Sequence, residues 1–206
     1  MREIPKGVLR AVVGAGAIAL AMTMGLMHAL AEEWVPVPEE SRVGFRATQL
    51  GAPFDGQFTR YRASIVFDPD RPEQSQVLFT VDIDSVDTEN AERDAAIQTA
   101  DWFDASKYPT ATFVSDAVTA LGDGRYEARG MLTMRGVTRP VMLPFTFTVA
   151  GLGEARARRN GGQLARVEGA FAVARTEFGI GQGQWAGEGV IGDQVLIRVE
   201  LTARSN

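Results

Sequence analysis

From about residue 41 onward, apolar side chains recur at every second position, and a chain with that period is committed to strands whose alternate residues face a core. Val43, Phe45 and Ala47 share one face, as do Tyr61, Ala63, Ile65 and Phe67, and then Val77, Phe79, Val81 and Ile83. The pattern returns in Val141, Leu143, Phe145, Phe147 and Val149, in Val167, Gly169, Phe171 and Val173, and in Val195, Ile197, Val199 and Leu201. Turn formers punctuate these runs at Gly51–Pro53, Asp68–Pro72, Gly122–Gly124 and Gly161-Gly162. Asp123-Gly124, between apolar runs at 113–121 and 126–134, predicts a tight hairpin turn. No linker, repeat or low-complexity tract divides the chain, and 206 residues with 45% hydrophobic content suit one domain.

One stretch breaks the period. Residues 91–113, AERDAAIQTADWFDASKYPTATF, predict a short helix: Thr88 or Asn90 caps it, Glu89 and Glu92 set negative charge at its start, and Ala96, Ala100 and Phe103 recur at i, i+4 and i+7. Pro109 stops it. A helix inserted between strands, with Trp102-Phe103 at its end, suits a cover over the mouth or edge of a sheet; plain core packing is the alternative.

Residues 1–31 stand apart from the fold. Arg2, Lys6 and Arg10 precede the apolar run AVVGAGAIALAMTMGLM, and Ala29-Leu30-Ala31 forms a small-x-small cleavage site before Glu32. This is the pattern of a secretory signal peptide, with an uncleaved membrane anchor as the alternative reading of a run near the lower length for spanning. The expected organisation is a signal peptide at 1–31 and one domain at 32–206, in the periplasm. His28 lies in the signal, and the chain has no cysteine. The mature protein therefore lacks the groups for a His-based triad, a thiol nucleophile, or imidazole and thiolate metal sites. Lys107 is its remaining lysine. Removing Arg2, Lys6, Arg10 and Glu3 takes the formal net charge from −5 to −7, which argues against nucleic acid as a partner.

Three motifs fail on inspection. DIDSVDTENAERD, 82–94, begins like a calcium loop but places Asp87 where the loop needs Gly and Arg93 where it needs Glu. It reads better as a strand end and a helix cap. Gly187-Glu-Gly189-Val-Ile-Gly192 spells GxGxxG, yet it leads into a strand and leaves too little chain for a ribose contact; the glycines suit a turn or a close backbone approach near Trp185. Glu92 and Asp94 resemble a catalytic carboxylate pair, but acids in a first helical turn ordinarily face the helix dipole.

The many short strands with an apolar, aromatic interior face suit a barrel of about eight strands, which can enclose one small ligand. Five segments carry a more specific likeness: SRVGFRATQLGAPFDGQF (41–58), IDSVDTENAERDAAI (83–97), DWFDASKYPTATF (101–113), GMLTMRGVTRPVML (130–143) and ARTEFGIG (174–181). In this order, over roughly residues 35–203, the chain resembles the YceI-like proteins. The resemblance implies an all-β fold, a lipocalin-like extended eight-stranded antiparallel β-barrel with a short helical insertion, exported to the periplasm. It also implies a non-covalent polyisoprenoid or isoprenoid quinone as ligand, with no firmly attached catalytic activity and no cofactor. Membrane b-type cytochromes accompany some relatives, so such a cytochrome is an expected partner; a homodimer is a further expectation.

Ligand contacts are expected from Phe45 and Phe58, from Phe79 and Val81, and from Ile97, Trp102 and Phe103 of the insertion. Phe113, Phe145, Phe147 and Phe171 extend this set along the later strands, and Arg175, Phe178 and Trp185 complete it. Arg93, Asp94 and Arg175 are the charged residues of these motifs, and Arg175 is expected either to pair with Asp94 or to meet a polar head group. An apolar cavity gains roughly 0.8 kcal/mol per buried CH₂, so about two prenyl units supply up to about 8 kcal/mol before ordering costs. Two other classes stay open: an enzyme using cavity carboxylates on a small apolar substrate, and a structural stress protein with a filled core. N-terminal sequencing of the exported protein is expected to read from Glu32 or close to it; recovery only in the membrane with residues 1–31 intact would contradict the signal assignment.

Overall fold

The computed structural model describes residues 32–149, 162–186 and 189–205, so the segment expected to be a signal peptide lies outside the described residues. Strands β1 (Glu32–Pro36), β2 (Arg42–Gln49), β3 (Ala52–Phe58), β4 (Tyr61–Phe67) and β5 (Gln76–Asp82) come first, followed by the two-residue β6 (Val86–Asp87). Helix α1 (Ala91–Gln98) separates them from β7 (Thr110–Gly122), β8 (Arg125–Met134), β9 (Val137–Val149), β10 (Leu164–Ala174) and β11 (Gln194–Ser205).

All pairings are antiparallel. The order β1-β4-β5-β7-β8-β9-β10-β11 returns to β1 and closes an eight-stranded barrel, as the resemblance implied. Closure rests on the short β1, where Trp34 lies opposite Ile65 of β4 on one side and Ser205 of β11 on the other. Farther along, β11 pairs instead with β2, which continues the wall through β3 to β6. Each strand turns the face its alternation predicted toward the interior, as closure requires, except at the end of β9, where Val149 is exposed. At the hairpin between β7 and β8, Asp123 and Gly124 both take positive φ, 54° and 70°, the backbone of the two-residue turn read from the sequence.

An aromatic cluster seals the end of the barrel near β1. Trp34, 2% exposed, packs edge-on to Phe147 at 5.0 Å between ring centres. Phe67 meets Phe147 at 4.6 Å and Tyr126 at 5.0 Å, and Tyr126 stacks on Phe145 at 5.4 Å. Ala128, Ala165 and Ala203, all buried, supply small side chains in the same core. The Trp34 indole satisfies its N–H by donating to the Phe67 carbonyl at 3.1 Å, so the seal carries no unmet donor there.

Two boundaries differ from expectation. Ile83 leaves the strand and starts a 3-10 turn, Ile83–Ser85, although its side chain is fully buried. The helix ends at Gln98 and does not reach Phe103. Asn90 is its cap, accepting from the Arg93 N–H at 3.0 Å. The Thr99 hydroxyl donates to the Ala96 carbonyl at 2.7 Å, and the N–H groups of Phe103 and Ala105 fold back onto the carbonyls of Ile97 and Gln98. Extending the helix would also place Asp101 and Asp104 against its negative end. Trp102 and Phe103 consequently sit in a run of turns.

Phe67→Ala is expected to lower the unfolding free energy by about 3–5 kcal/mol in denaturant titrations, because it opens a void among packed rings. Met142→Ala, at a side chain 54% exposed on the outer wall, is expected to stay within about 0.5 kcal/mol. Equal effects would contradict this placement of the core.

Candidate ligand-binding cavity

Beyond the aromatic seal the barrel is hollow. A cavity of about 480 Å³ runs between the inward faces of the strands, within the size range of sites for small organic ligands. Phe67, Phe145 and Phe147 belong to both the seal and the cavity lining, forming a floor. Inward side chains of β2, β5, β10 and β11 supply the walls. The opposite end is the mouth, bordered by α1, the turns at 99–107 and the loop between β10 and β11.

Of the residues singled out from the sequence, all but Phe178 line this cavity. Phe45 and Phe58 come from the β2–β3 hairpin, Phe79 and Val81 from β5, Phe113 from β7, Phe145 and Phe147 from β9, and Phe171 from β10. Ile97, Trp102 and Phe103 reach it from the insertion, and Arg175 and Trp185 from the β10–β11 loop. Phe178 is only 1% exposed and lies in the packed core, at the end of the 3-10 turn Arg175–Phe178. Gln49, Phe54, Asn90 and Ile191 also line the cavity and were missed. For Phe54 a signal exists: Phe54, Gly56 and Phe58 alternate, although Pro53 and Asp55 interrupt the apolar pattern around them.

Trp102 and Trp185, from separate loops, meet at 5.8 Å between ring centres. Behind them Arg175, 2% exposed, does not pair with Asp94. It donates through Nε to the Gly192 carbonyl at 3.1 Å, through Nη1 to Ile180 and Gly181 at 2.8 and 3.1 Å, and through Nη2 to Trp185 and Ile191 at 2.8 and 3.1 Å. These bonds occupy all the N–H groups a guanidinium has. Burial pushes its pKa down, Asp193 works in the opposite direction, and it remains charged. The guanidinium also lies 5.6 Å from the Trp102 ring. Arg175 thus ties together the loop that carries Trp185.

The acids of the apparent calcium loop have other partners. Asp82 meets Arg62 at 3.0 Å, Asp84 meets Arg60 at 2.6 Å, and Asp87 accepts from the Glu89 N–H at 3.0 Å. Asp94 accepts from the Thr88 N–H and hydroxyl at 2.9 and 2.6 Å. It therefore does not form a catalytic pair with Glu92, the acid that does line the cavity. Gly192, from the GxGxxG look-alike, marks a close approach: its N–H donates to the Thr48 carbonyl at 3.0 Å, and a Cβ there would collide with the Thr48 hydroxyl.

A family model described as a YceI-like domain matches residues 34–203. A UPF0312 protein of Vibrio cholerae is 37% identical over 139 residues, covering 67% of this chain and 71% of that one. The crystal structure of Burkholderia cenocepacia BcnA aligns with a TM-score of 0.72 at 30% identity, over 81% of this chain and 98% of that one. A polyisoprenoid binding domain from Saccharophagus degradans aligns with a TM-score of 0.61 over 86% of this chain and 99% of that one; at 14% identity it is a likeness of fold.

Arg175→Met is expected to lower stability by about 3 kcal/mol or more, since buried carbonyls lose charged donors. Hydrogen exchange should accelerate in residues 180–192 while the β7–β8 hairpin keeps its protection. Unchanged exchange in that loop would contradict the role given to Arg175.

Proposed function

Because the chain belongs to the YceI-like family, we propose that its barrel is a periplasmic carrier that holds a polyisoprenoid or isoprenoid quinone, without catalysing a reaction on it. The observation that carries this reading is the apolar cavity with an aromatic floor and a mouth bordered by two tryptophans. A prenyl chain offers methyl and methylene surface and no polar group, so it gains affinity wherever ring and aliphatic side chains exclude water. The fold likeness to the polyisoprenoid binding domain of Saccharophagus degradans supports the same ligand class here. The hollow interior disfavours a filled-core stress protein, and one acid on the cavity wall is little support for an enzyme built on paired carboxylates.

Export fits the geometry as well. The pairings of β1 that close the ring, from Glu32 to Pro36, all lie after the expected cleavage site, so processing there leaves them in place. The family likeness supports a membrane b-type cytochrome as the proposed partner of a quinone-loaded barrel.

Trp102 acts in this reading as a cover. Its Nε1 is shielded and has no hydrogen-bond partner, whereas an indole settled in a core ordinarily finds one. Titration of a prenyl quinone into delipidated protein, followed by melting temperature and direct affinity, tests the reading. Saturation at about 100 times Kd should add about 2.7 kcal/mol of stability. Trp102→Ala should weaken binding about tenfold while costing under about 2 kcal/mol of ligand-free stability. Identical melting curves with and without quinone would contradict the carrier function. A stability loss of about 3–5 kcal/mol with unchanged affinity would return Trp102 to plain packing.

A further inference from the structure

The cavity lining is mostly apolar, and its polar residues gather at one part of the rim, where Gln49, Asn90, Glu92 and Arg93 line it together, apart from Thr112 and the fully engaged Arg175. Arg93 is held there from several directions. Its Nε donates to the Thr88 hydroxyl at 2.9 Å, Nη2 to the Thr88 carbonyl at 2.9 Å, and Nη1 to Gln49 Oε1 at 3.3 Å. Its guanidinium lies 4.1 Å from the centre of the Phe54 ring. The Thr88 hydroxyl that accepts from Arg93 itself donates to Asp94 at 2.6 Å, so the acceptor side of that oxygen faces Arg93. Side chain, plane and direction are all set before any ligand arrives.

These contacts engage three of the N–H groups and leave one on each terminal nitrogen. Among the described residues Arg93 forms no ion pair. The contrast with Arg175 is complete: both guanidinium groups line the cavity, but every N–H of Arg175 is taken by a backbone carbonyl. Of these two cations only Arg93 has donors to offer.

We propose that Arg93 is the head-group contact of this cavity, donating to an oxygen acceptor on the ligand while the prenyl tail runs toward Phe67 and Phe147. This rests on the carrier reading and adds to it an orientation and a ligand class: an amphiphile with an accepting head, rather than a bare hydrocarbon. Glu92 is exposed and lines the same part of the rim, so that part carries one charge of each sign, which disfavours a phosphate relative to a neutral carbonyl oxygen.

The test uses three probes on delipidated protein: a prenyl quinone, geranylgeranyl phosphate, and squalene, which has no head group. Arg93→Gln is expected to weaken quinone binding about 10- to 100-fold and to leave squalene within about twofold. Arg93→Lys, which keeps the charge and a donor but loses the fixed fork, is expected to fall between wild type and Arg93→Gln. It also serves as the second variant if Arg93→Gln melts too low to titrate. A matching loss for geranylgeranyl phosphate would extend the contact to anionic heads; failure of the phosphate to bind would assign the rim to neutral carbonyls. Both support the proposal. Equal losses for quinone and squalene, or none for either, would overturn it while leaving the carrier reading intact. A wild-type protein that binds none of the three would overturn both.

Discussion

Trp34 ties β1 into the ring on both of its edges, opposite Ile65 and Ser205, and its indole donates back to the Phe67 carbonyl. Without that strand, β4 and part of β11 would present open edges, and an unpaired edge invites association with another chain. With it, the ring closes and the inward faces acquire a common interior. The same tryptophan starts the aromatic seal, so one short strand both completes the hydrogen-bonding circuit and stops one end of the cavity. Packing and hydrogen bonding supply this stability, because a chain without cysteine has no disulfide to draw on.

The two ends of the barrel answer to different physics. At the sealed end, rings fill space against small residues. At the mouth, backbone carbonyls of a glycine-rich loop converge on one buried cation. A buried guanidinium is costly unless its donors are met, and here each is met by a carbonyl from residues 180–192. The desolvation cost of Arg175 is thereby converted into order in a loop that carries Trp185. Arg93 stands in a related but incomplete arrangement, well oriented and only partly engaged. On the proposed reading, that difference assigns a structural role to Arg175 and a ligand contact to Arg93.

The strands were legible because a half-buried strand writes its burial into the sequence at period two, and closure into a barrel obliges every such face to point inward. The Asp123-Gly124 turn was legible for a similar reason, since few residue pairs accept two positive φ values. The end of α1 was not: Thr99 turns the chain through a local side-chain bond, and the apolar spacing of Ala96, Ala100 and Phe103 imitates a continuing helix. The partners of Arg175 were beyond reach because they are carbonyl oxygens, which every residue has. Phe178 shared the aromatic signature of the cavity set and went to the core, since type alone does not separate a wall from a filling. Gln49 and Ile191 reach the mouth through an isolated bridge between distant segments, a contact without local pattern.

The central claim is that this cavity exists to hold an isoprenoid. Native mass spectrometry of the protein purified from its own host tests it most directly, because the ligand is then whatever the cell supplies. The account predicts a non-covalent adduct, lost on extraction into organic solvent, whose mass fits a head group plus a whole number of isoprene units. Protein that carries no adduct, or one with no isoprenoid character, would contradict it.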